Sequence, residues 1–226
     1  MLPTPEKGPG ASSPDTETRP APEPLNRVQA LINSADLASG VDRLADPASS
    51  QPWLEAQGLV SPGCIPTADD LSTIRGFREA LRALVAHSSG GPAPTEQQLA
   101  PLNGIATQAT ACVRLDADGT VRLAPVGDGL AGRLLALLLV IADAQREGSW
   151  AHFKTCANEG CRRAFYDRSR NHRSTWCDMG RCGNKVNNRM FRARRGHRDT
   201  ESEAYGATMA RQSVSPEPHS QAARLR

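Results

Sequence analysis

The sequence predicts an α+β protein with a mostly helical N-terminal domain, one β-hairpin in that domain, and a small cysteine-bound C-terminal module ending in a basic helix. Three observations predict this fold: helical spacing of apolar residues over much of 25–148, one hairpin turn signal, and four cysteines clustered near the C-terminus. A chain of 226 residues has room for one or two domains.

Several classes of protein are not expected from this composition. The longest apolar run, Leu134–Ala142, has nine residues, whereas a transmembrane helix needs about 18 or more. The N-terminus has no short apolar stretch behind a basic start, so no secretory signal is expected. We therefore expect a cytoplasmic protein without a membrane partner.

The two ends of the chain differ in composition from its middle. Residues 1–24 contain seven prolines, and residues 199–226 are rich in Ser, Glu, Pro and Gln. Neither segment has apolar periodicity, which predicts two disordered tails. The ordered domains are then expected at 25–148 and 152–198.

The first two helices follow from apolar spacing and proline position. Apolar residues recur at helical spacing from Leu25 to Ile32. A second helix is expected to begin at Asp46-Pro47, or to restart at Gln51-Pro52, because an N-cap residue followed by proline favours a helix start. Gly58 is a plausible end for this helix.

Two capping boxes predict the next pair of helices. Thr67 with Asp70, and Thr95 with Gln98, each have the spacing at which a hydroxyl and an N3 side chain satisfy helix N–H groups. The first helix should end in the run Ser88–Pro94, and Pro101 weakens the prediction for the second.

A hairpin and a buried helix complete the N-terminal domain. Asp118-Gly119 is a turn signal between two apolar-rich segments, Cys112–Leu115 and Thr120–Leu123. Leu130–Gln145 is apolar on most of its faces, which predicts the central helix of the domain.

Four of the six cysteines lie within 27 residues, in two pairs with the same inner spacing. Cys156-x4-Cys161 is followed after fifteen residues by Cys177-x4-Cys182. Two short loops that each offer two thiolates are what a tetrahedral Zn²⁺ requires. We therefore expect one structural zinc bound by these four residues in a treble-clef-like finger.

The cysteines allow two other interpretations. Two disulfides are improbable in a reducing cytosol. A catalytic zinc would need an open position, and His152, His172 or His197 would have to replace a cysteine. The paired spacing favours a closed shell of four thiolates, so no catalytic residue is assigned.

Positive charge is concentrated around these cysteines. Residues 152–198 carry 13 Lys and Arg against 3 Asp and Glu, whereas the rest of the chain has 14 basic and 21 acidic residues. This asymmetry predicts an anion-binding module, and nucleic acid is the expected anion. The candidate nucleic-acid contacts are Arg168, Arg170, Arg173, Arg181, Lys185, Asn188, Arg189, Arg192 and Arg195.

The residues around the cysteines also form recognisable motifs. These are Cys156-Ala-Asn-x-x-Cys161, Asp167-x-Ser169-Arg170-Asn171, Trp176-Cys177-x-Met179 and Cys182-Gly-Asn-Lys185. They resemble the CGNR zinc-finger family of bacteria, which implies that the cysteines bind zinc and that the finger binds DNA. Lys185 stands where the family motif has Arg, so this position keeps its charge but loses the bidentate fork of a guanidinium.

The N-terminal region resembles the ABATE domain that usually precedes such fingers. The similar stretches are Leu44–Pro47, Trp53–Leu59, Phe77–Leu84, and the hairpin segments Val113–Asp116 and Val121–Leu123. The resemblance implies a bacterial stress-induced transcription regulator.

Three functions remain open on the sequence. The first is a DNA-binding regulator whose N-terminal domain senses a ligand or forms a homodimer. The second is an RNA-binding or ribosome-associated zinc protein, which the scarcity of aromatic residues disfavours. The third is a protein-interaction adaptor or an enzyme, and no nucleophile–base pair or phosphate loop in 25–148 favours catalysis.

Overall fold

The computed structural model describes residues 17–192. It has the predicted mixture of helices and small antiparallel sheets. The helices are α1 (Leu25–Asn33), α2 (Pro47–Ala56), α3 (Ala68–Ser88), α4 (Glu96–Gln108), α5 (Leu130–Arg146) and α6 (184–192). The paired strands are β1 (Ala35–Asp36) with β2 (Val41–Asp42), β3 (Ala111–Leu115) with β4 (Val121–Pro125), and β5 (Phe153–Thr155) with β6 (Ala164–Tyr166).

Local capping explains where the helices begin. Asp46 caps α2 by accepting a hydrogen bond from the Ser49 N–H, and Pro47 occupies the first turn, so the earlier of the two expected starts is the observed one. Pro52 lies inside this helix without ending it. Both predicted capping boxes are present, at the N-termini of α3 and α4. Pro101 likewise lies inside α4.

The β3–β4 hairpin has the predicted turn. Gly119 has a φ of +84°, a left-handed conformation that glycine adopts without steric cost. The register pairs Leu115 with Val121 and Val113 with Leu123. The strands begin and end within two residues of the predicted segments.

A single apolar core joins α1, α3 and α5, and it extends beyond the helical domain. Phe77, Leu81 and Leu134 are fully buried in it. Phe153 of β5 and Ala164 of β6 belong to the same core. The cysteine-bearing hairpin therefore shares part of the apolar core of the helical domain, while its cysteines form a second buried cluster with Phe165.

Residues 17–24 lie in the segment predicted as a disordered tail, but they contact the folded protein. Ala21 is buried, and its N–H donates to the Gln29 side chain at 2.6 Å. The Arg19 carbonyl accepts a hydrogen bond from the Tyr166 N–H at 3.1 Å. The composition of this segment did not indicate these contacts, because they are made by backbone groups, by one small apolar side chain and by the charged side chains of Glu17 and Arg19, which carry no apolar periodicity. Residues 1–16 and the predicted tail at 199–226 lie outside the described residues.

The chain divides into two compact units, Met1–Cys182 and Gly183–Arg226. The first holds the helical domain, the β5–β6 hairpin and all four clustered cysteines. The second is described here by α6 alone. Between residues 17 and 192, the helices lack the combination of length and apolarity that crossing a bilayer demands.

Candidate metal centre and cationic surface

The four clustered cysteines converge on one point. Cys156, Cys161, Cys177 and Cys182 are all buried, and their Sγ atoms lie within 4.8 Å of one another. The Cys161–Cys177 and Cys177–Cys182 Sγ separations are 3.7 and 3.8 Å. A tetrahedron with Zn–S bonds of about 2.3 Å has edges of about 3.8 Å, so these sulfurs are spaced as zinc ligands.

These distances also exclude the disulfide alternative. A disulfide bond is about 2.05 Å long, and all four cysteines are free. The rings of His152 and His172 stack on each other with centroids 3.9 Å apart, and the metal-ligand cluster found among residues 17–192 contains cysteines alone. His197 lies outside that range. Four thiolates form a closed shell, so the site holds one structural zinc.

Two tight turns present the sulfurs. In the first, between β5 and β6, the Asn158 carbonyl accepts from the N–H groups of Cys161 and Arg162, and the Asn158 amide lies 3.6 Å from the Cys182 sulfur. In the second, the Asp178 carboxylate accepts from the Arg181 N–H at 2.5 Å, and its carbonyl accepts from the Cys182 N–H at 3.0 Å. A short π-helical turn, Met179–Gly183, contains the last ligand and leads into α6.

The sulfur cluster can hold its full negative charge only with a cation. Hydrogen bonds from Cys161 and Cys177 lower the pKa of Cys156 to about 3. Hydrogen bonds to Cys156 and Cys161, together with burial, raise the pKa of Cys177. Phe165 and Trp176 pack against the sulfurs and shield them from water. Zn²⁺ would supply the missing positive charge directly.

A buried carboxylate organises the arginine-rich loop that joins the two turns. Asp167 is fully buried and accepts hydrogen bonds from Ser169, from the Ser174 N–H at 2.9 Å, and from the Lys154 ammonium at 2.9 Å. Burial opposes ionisation, but the bonds from Ser169, Lys154 and Ser174 outweigh it and hold the pKa of this carboxyl well below its usual range. The loop backbone is therefore fixed at both ends by one side chain.

Comparisons with known families agree with this geometry. Residues 25–145 match the ABATE family model, described as "Putative stress-induced transcription regulator", which spans more than half of the chain. The chain belongs to the ABATE family. Residues 152–195 match the CGNR zinc finger, whose cysteines are the four described above. No curated protein matches the chain.

The structure divides the candidate nucleic-acid contacts of this ABATE protein into two groups. The first group is held by the helical domain or by the segment before it. The Arg181 guanidinium lies 2.6 Å from the Asp36 carboxylate, and the Arg168 guanidinium donates to the Pro20 carbonyl at 3.2 Å while lying over the Tyr166 ring. Arg163, which was not a predicted contact, is paired with Glu17 in the same way.

The second group is exposed and makes no ion pair within residues 17–192. Arg170 and Arg173 lie on the loop fixed by Asp167. On α6, four polar or basic side chains recur at spacings of three and four residues, which places them on one face of that helix. They are Lys185, Asn188, Arg189 and Arg192. Arg195 lies outside the described residues.

Sequence reasoning missed the residues that attach the finger to the ABATE domain. Asn33 donates to the Ala164 carbonyl at 2.9 Å and accepts from the Ala164 N–H at 2.8 Å, so it satisfies both backbone groups of one β6 residue. Gln29, one turn earlier on α1, also donates to the Ala164 carbonyl. The sequence did contain one signal for this attachment: the amide side chains of Gln29 and Asn33 are four residues apart on α1, next to its apolar face.

Proposed function

We propose that this ABATE protein is a cytoplasmic transcription regulator whose zinc finger binds duplex DNA without catalysing a reaction. One observation carries the proposal: the finger exposes cations that have no acidic partner among residues 17–192. Arg170 and Arg173 lie on a loop of fixed backbone, and Lys185, Arg189 and Arg192 share one face of α6. Guanidinium groups of this kind match phosphate oxygens in geometry as well as charge.

The aromatic residues of the finger favour duplex DNA over a single strand. Recognition of single-stranded RNA or DNA relies on aromatic side chains that stack on bases. Phe165 is buried and Trp176 is partly buried, and both pack against the sulfur cluster. Within residues 17–192, Phe191 of α6 is the one exposed aromatic residue of the finger, so the finger offers few rings to stack on bases and several exposed groups suited to phosphates.

Salt dependence of binding tests the proposal. If the five exposed cations contact phosphates, the logarithm of the affinity should fall with the logarithm of salt concentration with a slope of about −4.5. That slope gives a loss of about 500-fold between 50 and 200 mM salt. Fluorescence anisotropy with a labelled duplex, a matched single strand and an RNA hairpin measures it. Tighter binding to the single strand or to the RNA hairpin than to the duplex would contradict the proposal of duplex binding.

A double variant tests the assignment to α6. Arg189→Ala with Arg192→Ala should weaken binding to all duplex sequences and flatten the salt slope by about two units. The matched control is Arg114→Ala with Arg122→Ala, which removes the same charge from the exposed β3–β4 hairpin. Equal losses in the two double variants would mean that net charge alone drives binding. No loss in the α6 variant would refute the assignment.

We also propose that the ABATE domain is regulatory, through ligand sensing or dimerisation, and that it acts on the finger through their shared contacts. Asn33→Ala would remove the acceptor of the Ala164 N–H and leave the Ala164 carbonyl with the Gln29 donor alone. This variant should therefore change DNA affinity or its salt slope. Asn26→Ala is the control, since it alters the same helix at an amide whose buried oxygen has no hydrogen-bond partner in the described structure. Identical DNA binding by wild type and both variants would show that the domain does not influence the finger.

A further inference from the structure

The β3–β4 hairpin presents an apolar face to solvent. Side chains alternate between the two faces of a strand, so the register places four large apolar residues on one face. Val113 is 62% exposed, Leu115 72%, Val121 63% and Leu123 51%. No charged or hydroxyl-bearing side chain of either strand shares this face with them.

The opposite face of the hairpin is the one turned toward the protein. It carries Cys112, Arg114, Arg122 and Ala124, of which Ala124 is buried where β4 contacts α5. Antiparallel sheets with one covered face normally place apolar residues inward and polar residues outward. Here the face that carries Ala124 is covered only near that residue, since Arg114 and Arg122 beside it are exposed, while the large apolar residues all lie on the other, uncovered face.

The exposed apolar face of the hairpin needs a cover. A two-stranded hairpin is marginally stable by itself. Exposure of four apolar side chains to water adds no stability, because apolar surface is stabilised only when it is removed from water. A continuous apolar patch of this kind has an area of about 300–600 Å², and patches of that size on a protein surface are often functional. Because the patch has no charge, it offers nothing to a nucleic acid or to an acidic protein.

The parts of this chain outside residues 17–192 are poor candidates for the cover. They contain few large apolar residues, scattered singly or in one adjacent pair: Met1, Leu2, Tyr205, Met209, Val214 and Leu225. None of these segments has the alternating apolar pattern that would match a strand pair. The cover must therefore come from another molecule.

We propose that a second copy of this chain covers the face, its own hairpin packing against this one about a two-fold axis. A purely apolar patch is complementary to itself, which is what an isologous dimer contact requires. Two such patches would bury about 1,000 Å² in total, the lower bound for a specific interface. The dimer is thus weak and depends on concentration. This inference deepens the proposed regulatory role of the ABATE domain and does not depend on DNA binding.

Sedimentation velocity of the full chain tests the dimer. It is run with zinc and reductant present, because Cys64 is exposed and Cys112 half-buried and either could form an adventitious disulfide. Over about 5–500 µM protein, the wild type should shift from monomer toward dimer with a dissociation constant in the micromolar range. Val113→Gln with Leu123→Gln should weaken the dimer at least tenfold. Leu115→Gln with Val121→Gln, on the same face, provides an independent second variant.

The matched control is Arg114→Gln, an exposed change on the same strand but on the opposite face. It should dimerise as the wild type does. The proposal is overturned if the wild type stays monomeric across the range, whether or not a different protein binds the face, or if both double variants dimerise as tightly as the wild type. Because no DNA is present, failure here leaves the DNA-binding proposal intact, and failure of DNA binding leaves this one intact.

Discussion

The helical region and the cysteine-bearing region of this protein are held together by different forces. Phe77, Leu81 and Leu134 lie fully buried in a large apolar core, and their removal from water stabilises the helices. Around the sulfurs, only Phe165 and the partly buried Trp176 add apolar packing to the four cysteines. Burial of apolar surface stabilises the first region, whereas the second region needs a bound metal ion for its stability.

The comparison also shows that the two regions are not independent. The strands that flank the first cysteine turn contribute Phe153 and Ala164 to the helical core. The acidic groups of Glu17 and Asp36 are paired with Arg163 and Arg181 of the finger. The β5–β6 hairpin therefore packs into the apolar core of the helices through Phe153 and Ala164.

Replacement of one zinc-binding cysteine should distinguish most clearly between stabilisation by the metal and stabilisation by the apolar core. Cys177→Ser removes a ligand from a type of site in which zinc supplies about 10–16 kcal/mol of binding free energy. Zinc content should fall from one per chain to near zero, while circular dichroism still reports the helices. Cys64→Ser, at an exposed cysteine, should keep its zinc. Full zinc content in Cys177→Ser would contradict the ligand assignment.

Removal of a finger side chain from the helical core tests whether the regions share it. Phe153→Ala should lower the free energy of unfolding by about 3–5 kcal/mol, because it opens a cavity at a fully buried position. The zinc content should not change. Phe191→Ala, at a residue 60% exposed, should have almost no effect. If Phe153→Ala left helix unfolding unchanged, the shared core would be refuted.

Substitution of the buried carboxylate should have an intermediate effect. Asp167→Asn leaves the Lys154 ammonium without its charged partner and should cost about 1–3 kcal/mol. The native pKa of Asp167 lies below the value of about 3.9 expected in the unfolded chain. The ionised form therefore stabilises the fold at neutral pH, and this contribution is lost progressively as pH falls below about 4 toward the lower pKa of the folded state.

Chemical denaturation of wild type and Asp167→Asn between pH 7 and pH 3 measures this difference. The stability gap should narrow toward pH 3, because protonation removes the advantage of the carboxylate. The exposed Asp128→Asn serves as control and should follow the wild type. A gap that stays constant with pH would show that the charge of Asp167 does not contribute.

The exposed ion pair between the regions should contribute least. Asp36→Asn removes the partner of Arg181, whose side chain is 47% exposed, and should cost less than about 1 kcal/mol. The remaining difference should vanish in 1 M salt, where the screening length is about 3 Å. A loss above about 2 kcal/mol that persists in high salt would mean that this pair is a principal attachment of the finger.

Much of the fold could be predicted because its signals are local. Thr67 with Asp70 and Thr95 with Gln98 specify helix starts through contacts three residues apart. Asp118-Gly119 specifies a turn in the same way. The zinc ligands were predictable because Cys156 and Cys161, like Cys177 and Cys182, reach the metal from a single short turn each.

The attachment of the cysteine-bearing hairpin to the helical domain was not predictable from local signals. Apolar periodicity says that Phe153 and Ala164 belong in some core, but not which one. Charge counts say that the finger is basic, but not that Arg181 and Arg168 are held by Asp36 and Pro20. These outcomes depend on contacts between residues far apart in sequence.

Apolar spacing, capping residues, the turn signal and the spacing of the cysteines therefore indicated the helices, the hairpin and the metal site, since each involves neighbours along the chain. Three-dimensional packing was needed to assign each cation to a partner and to leave the face around Val113 and Leu115 uncovered. The physical reason is that burial and ion pairing depend on what lies opposite a side chain, and this is set by the fold as a whole.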